Sequence, residues 1–350
     1  MLRCFVFCLL VMLAALPLSA QESAQTLTVI AHDSFGYSED VMAAFTEETG
    51  IVVEVLHLGD TGTMVNQSVL SREAPLGDVM FGVDNTFLGR ALAADLFVPY
   101  ESPLLEVVPE AFHTDPEHRV TPIDYGDVCL NYDVAYFEQH DLPLPEDLAA
   151  LADPAYEGLL VVENPATSSP GLAFLLATIG VFGEEGDYTY LDYWQDLVNN
   201  DVLVVDDWST AYYGEFSGSG GSDGTRPLVV SYASSPPAEV YFAEEELDAA
   251  PTGVIAADNT CFRQIEYAGI LQGTDNLDAA QQFIDFLLSV PFQEDMPLNM
   301  FVFPVNAEAE LPEVFLEYAE IPDEVIEMDV ADIDANRETW IQAWTETVLR

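Results

Sequence analysis

The chain has 350 residues, half of them hydrophobic, which supports one or two domains with sizeable cores and excludes a disordered polypeptide. Sixty-two acidic residues stand against eight basic ones, all arginine, for a formal net charge of −54. Such a surface excludes nucleic acid and acidic membrane faces as partners. It either draws cationic ligands or reflects a saline or acidic habitat, and the spread of the acids along the whole chain favours habitat.

In chain order, Arg3, the apolar run 4–16 and the stretch Pro17-Leu18-Ser19-Ala20 predict a signal peptide over 1–20, cleaved near Ala20. The apolar run is short for a bilayer span. Cys8 follows Phe7 rather than a small residue, so no lipid-attachment site is expected. No later segment reads as a transmembrane helix, and the mature protein is expected in the periplasm or the medium.

Residues 27–31 predict a strand, 38–49 a helix stopped by Gly50, 51–57 a strand, 62–73 a helix and 78–82 a strand: a βαβαβ run. Residues 158–162 predict another strand. A helix over 170–182 follows, with Pro170 in its first turn and Ser169 as its cap. Residues 187–199 read as helical, 202–205 and 227–231 as strands, and a helix is expected to begin near Trp208. Residues 217–225 (SGSGGSDGT) read as a flexible surface loop. Residues 276–289 and 335–349 predict helices, the last carrying Trp340 and Trp344 four apart as packing residues.

Only Cys129 and Cys261 remain after the leader, and two cysteines outside the cytoplasm are a candidate disulfide or two buried thiols. Their spacing is unlike a zinc site. His32, His57, His113, His118 and His140 form no metal-binding spacing, and no phosphate-cradling loop or nucleophile elbow occurs. No catalytic residue, metal or cofactor is therefore expected.

Eight stretches carry a family likeness: VIAHDSF (29–35), LGDTGTMVNQ (58–67), GDVMFGVDNTFL (77–88), TPIDYGDVCLNYD (121–133), NPATSSPGLAFLL (164–176), DDWSTAYYGEF (206–216), VVSYASSPPAEVYF (229–242) and FVFPV (301–305). In order and spacing they resemble the periplasmic thiamine-binding proteins of bacterial ABC importers over nearly the whole mature chain. The resemblance implies an α/β, two-lobe periplasmic-binding-protein fold of type II, with a hinge of two crossing strands and a central ligand cleft. Lobe 1 would be discontinuous, 26–125 and 263–350, and lobe 2 would be 129–258. Cys129 and Cys261 would then lie on neighbouring hinge strands and form a disulfide across them.

The resemblance carries ligand-binding roles onto Asp60, Thr61, Ser168, Ser169, Trp208, Tyr232, Ala233, Ser234 and Ser235, with His32 and Phe301 at altered positions of the aromatic cage. Trp208 suits stacking on a cationic ring, and Tyr232 offers a face and a hydroxyl. Asp60 suits an exocyclic amine or a thiazolium charge, with Thr61 adding a hydrogen bond. Ser168 and Ser169 before a proline-started helix, and Ser234 and Ser235 before Pro236, suit an anionic tail. Blander roles stay open: a cap for Ser169, packing for Trp208 and Tyr232, a surface acid for Asp60. The sequence departs from the family pattern at His32 (tyrosine expected), Thr61 (glycine) and Phe301 (tryptophan). The aromatic expected just after the SYxxSP segment is missing, Tyr241 being the nearest.

The expected ligand is thiamine, thiamine monophosphate or thiamine pyrophosphate. The expected transport partners are an ABC permease and its ATPase, and the protein is expected to be monomeric. The alternatives are a binding protein of the same fold for ferric ion, polyamine or another small cation, and, more distantly, a secreted hydrolase. Tyr212 and Tyr213 are adjacent, which does not suit joint chelation of iron.

Overall fold

The computed structural model describes residues 25–350, and the expected signal peptide lies outside them. The strands are β1 (Gln25–Ala31), β2 (Ile51–His57), β3 (Val79–Asp84), β4 (Phe97–Val98), β5 (Thr121–Asp133), β6 (Leu160–Glu163), β7 (Leu203–Val205), β8 (Leu228–Tyr232), β9 (Thr252–Ile255), β10 (Phe262–Leu271) and β11 (Phe303–Pro304). They join in one curled sheet of order β2-β1-β3-β10-β5-β8-β6-β7, with β4 beside β10 and both β9 and β11 beside β5.

The two ends of the sheet are parallel. β1 pairs with β2 and β3, and β6 pairs with β7 and β8. Parallel neighbours need crossover connections, and the helices expected from the 3.6-residue patterns supply them. Ser38 caps the first, accepting the Val41 N–H at 3.2 Å, and Gly50 ends it with φ 74°. β1 shows why both sheet faces must be covered. Leu27, Val29 and Ala31 enter one core with Phe45 and Phe283, while Ile30 enters another with Met64 and Phe87.

The middle of the sheet is antiparallel. β5 and β10 run through it as its longest strands. Cys129 on β5 is bonded to Cys261, one residue before β10, with Cα atoms 4.3 Å apart. Across the same strand pair Arg263 donates to both oxygens of buried Asp127, at 2.7 and 2.9 Å.

Three elements differ from the sequence reading. The second helix, Thr61–Leu70, stops short of residue 73. The C-terminal helix, Val330–Val348, starts five residues early because Asp329 caps it at the Ala331 N–H, 2.8 Å. It straps both ends of the molecule: Trp344 meets Trp194 edge-on at 5.4 Å, and Arg337 lies 4.3 Å over the Phe87 ring. The glycine/serine segment 217–225 is tethered. Gly220 N–H donates to Glu239 at 2.6 Å and Ser217 N–H to Arg226 O at 2.9 Å.

No helix among the described residues is long and apolar enough to cross a membrane.

Candidate functional site

A cavity of about 350 Å³ opens where β1, β2, β6, β7 and β8 end. This is where open α/β sheets collect ligands, since the loops leaving the carboxyl ends converge there. Its walls come from 32–34, 60–61, 169–170, 208–213, 232–242 and 299–302, with Glu266 of β10. Four helical segments begin at this rim, at Thr61, Ser169, Trp208 and Pro236.

Trp208 forms one wall. Its ring stacks on Tyr212 at 5.0 Å and 18°, and its indole N–H donates to Ser231 Oγ at 3.0 Å. Ser235 Oγ lies 2.9 Å from the same Ser231 oxygen, so these serines fix the tryptophan rotamer. The Trp208 backbone N–H donates to Asp60 at 3.3 Å, tying the two sides of the cavity. Phe301 forms part of the opposite wall. It has φ 55°, packs on Phe242 at 5.4 Å and on Phe315 at 6.0 Å, and its carbonyl accepts the Ser234 hydroxyl at 2.6 Å.

The floor is acidic. Glu266 accepts from His32 Nε2 at 3.2 Å and from Gln264 Nε2 at 3.3 Å. His32 fits because Gly82, at φ 88°, lies against its imidazole, where any Cβ would overlap the ring. Burial works to lower the His32 pKa, but the charge and hydrogen bond of Glu266, helped by Asp60 and Asp84, win and raise it.

Behind the wall, burial pushes the Asp84 carboxyl up to about 6 against the hydroxyls of Ser169 and Thr86. Burial, then the Glu266 charge, holds Asp124 well above the carboxylate range. Neither Asp124 oxygen has a protein donor. A proton retained on Asp124 resolves this, because it can then donate to Glu266. Burial also raises Asp60, opposed by the nearby Ser168 hydroxyl and by His32. Glu163, fully buried and without a partner, is raised well above its usual range by burial.

Of the residues singled out from sequence, His32, Asp60, Thr61, Ser169, Trp208, Tyr232, Ser235 and Phe301 line this cavity. Ser168, Ala233 and Ser234 stand behind it, fully buried. Ser168, not Ser169, is the N-cap residue of the helix Ser169–Phe182, and its hydroxyl has no hydrogen-bond partner. Ser169 donates instead to Asp84, Thr61 donates to Gly82 O at 3.0 Å, and the Ala233 N–H donates to Asp127 O at 2.8 Å. Tyr232 donates to Gln264 at 3.3 Å.

Sequence reasoning missed Glu266 and Phe242, which both line the cavity. Phe242 occupies the region where the expected aromatic was missing from the segment after Pro236. Tyr212 is buried and Tyr213 half-exposed, with their rings 5.3 Å apart at 84°, and both line the cavity. Among the described residues no group of three His, Cys, Asp or Glu side chains is placed to hold a metal ion.

A bilobal cleft protein with strand-end loops and an aromatic, acidic pocket is a ligand-capturing class of molecule. Residues 74–323 match the family described as Bacterial extracellular solute-binding protein, and the chain belongs to it. It is 29% identical over 329 residues to the Thiamine-binding periplasmic protein of Escherichia coli, spanning 93% of this chain and 94% of that one. A solved structure titled Periplasmic thiamin binding protein superposes with TM-score 0.79 at 26% identity, over 93% of this chain and 96% of that one. The Iron uptake protein A1 of Synechocystis is 23% identical over 314 residues, 87% of this chain and 82% of that one. These likenesses fix the fold as that of the type II periplasmic binding proteins.

Proposed function

We propose that this chain is the extracytoplasmic binding component of an ABC importer and that its ligand is thiamine or a thiamine phosphate. The observation that carries the ligand class is the cavity lining: Trp208, Tyr232, Phe242 and Phe301 supply aromatic faces, Asp33, Asp60 and Glu266 supply carboxyl groups, and no arginine takes part. A flat heterocycle bearing positive charge matches that lining. The relatives named for thiamine add the particular compound.

The lobes are 26–125 with 263–350 and 129–258, and β5 and β10 are the hinge. Capture closes the lobes, and the closed form docks on a permease driven by an ATPase. The protein acts as a monomer and performs no chemistry on its ligand. Asp60, Thr61, Ser169, Trp208, Tyr232, Ser235, His32 and Phe301 meet the ligand, while Ser168, Ala233 and Ser234 hold the loops that present them. Of the four serines lining the cavity, Ser169 is bonded to Asp84 and Ser235 to Ser231, and the carboxyl groups of Asp33, Asp60 and Glu266 disfavour an anionic phosphate tail.

Trp208→Ala is expected to weaken thiamine binding at least tenfold, about the value of a desolvated cation–π contact. Trp208→Phe, which keeps a face, should recover part of the loss. Calorimetric titration of both variants checks this, and an unchanged dissociation constant in Trp208→Ala would remove Trp208 from the site.

A further inference from the structure

Three carboxyl groups face the cavity, and they are not equivalent. Asp33 is exposed and spends one oxygen on the Gly59 N–H at 3.0 Å, so solvent screens it. Asp60 precedes the helix Thr61–Leu70, and accepts from Trp208. Glu266 differs from both. It is 6% exposed, stands on the central strand β10, and is held in place by His32 and Gln264, its two hydrogen-bond partners. Beside it burial, then the Glu266 charge, pushes Asp124 towards its neutral form, so within this buried pair Glu266 is the member that carries the charge. A single buried anion at the base of an aromatic pocket is poorly screened and strongly felt.

We propose that Glu266 is the charge-reading residue of this cleft, selecting a ligand whose ring carries a fixed positive charge over a neutral ring of the same shape, with His32 as the partner that offsets its charge. This rests on the ligand reading above and deepens it, since the thiazolium of thiamine is such a ring. A fixed cation cannot escape an unfavourable site by releasing a proton, and a neutral ring gains nothing from the carboxylate. β10 lies in the middle of the sheet, so the charge stays in place while the loops around the cavity adjust. His32 tempers the selection. Its imidazole is drawn towards the protonated form by Glu266, Asp60 and Asp84 against the opposing effect of burial.

The readout is a ratio: the dissociation constant of a neutral thiophene isostere of thiamine divided by that of thiamine, measured by calorimetry on the mature protein. Wild type should give a ratio of at least about tenfold. Glu266→Gln, nearly isosteric, should bring it close to one. His32→Gln, which keeps a donor to Glu266 without the charge, should raise it. The second variant is informative even if Glu266→Gln does not fold. A ratio unchanged in folded Glu266→Gln, or lowered in His32→Gln, overturns the assignment. A ratio near one in wild type overturns it as well, with the thiamine reading intact. Failure of wild type to bind either compound sinks the thiamine reading and this role with it.

Discussion

Replacing Cys129 and Cys261 together by alanine lowers the stability of the folded protein by about 5 kcal/mol. The bridge closes a loop of 132 residues, and a cross-link over so long a loop removes a large part of the freedom of the unfolded chain. Both sulfurs are fully buried, packed with Ala233 beside the β5–β10 pair, so the folded state has little to rearrange when the bond is lost. For a chain of this size the change corresponds to a fall of about 7 °C in the unfolding midpoint. Denaturant titration of the double variant against wild type measures it. A difference under about 1 kcal/mol would mean that the unfolded chain is already confined by other means.

Acidification from pH 7.5 to 5 should stabilise the protein, the reverse of the behaviour of proteins rich in ion-paired carboxylates. Asp84, Asp124 and Glu163 all have pKa values raised by burial. A carboxyl raised in the folded state contributes stability that is complete below its unfolded pKa, about 4, and is lost as pH climbs through the folded value. For Asp84, raised to about 6, the whole loss is about 3 kcal/mol. Asp124 and Glu163 are raised by burial too, so their loss of stability with rising pH adds to that of Asp84 in the same direction. His32 is also raised and works in the same direction. Falling net repulsion among the surface acids adds to it. The trend ends near pH 4, where Asp115, held low by the Arg119 guanidinium despite its burial, begins to lose its ion pair.

Unfolding free energies at pH 5, 6, 7 and 8 test this, with Asp124→Asn expected to flatten the slope. Stability that is flat, or that rises with pH across this range, would contradict the buried acids being neutral.

The parallel ends of the sheet were legible because their strands are short apolar runs set between capped helices. Ser38 and Gly50 mark one such helix at both ends. The disulfide came through the family likeness, because two cysteines 132 residues apart carry no local signal of pairing. The start of the C-terminal helix was missed because Val330 to Asp334 is largely exposed and shows little apolar period. The tether of the glycine/serine loop depends on Glu239, remote in sequence.

The acidic floor was the least legible part. Asp84, Asp124 and Glu266 sit on three separate strands, and in a chain with 62 acids none of them stands out. Burial is what distinguishes them, and burial is set by the sheet order. Phe242 was passed over for a similar reason. Its spacing does not match the family pattern, yet the turn after the helix Pro236–Tyr241 brings it to the cavity.

The most direct test of the proposed function is thermal unfolding of the mature, ligand-free protein with thiamine, thiamine monophosphate and thiamine pyrophosphate, beside spermidine and ferric citrate. A ligand present at 100 times its dissociation constant adds about 2.7 kcal/mol, a rise of about 4 °C here. Thiamine should give that rise, its phosphates a smaller one, and spermidine and ferric citrate none. No shift with any thiamine compound well above micromolar concentration, from protein shown to be folded, would contradict it.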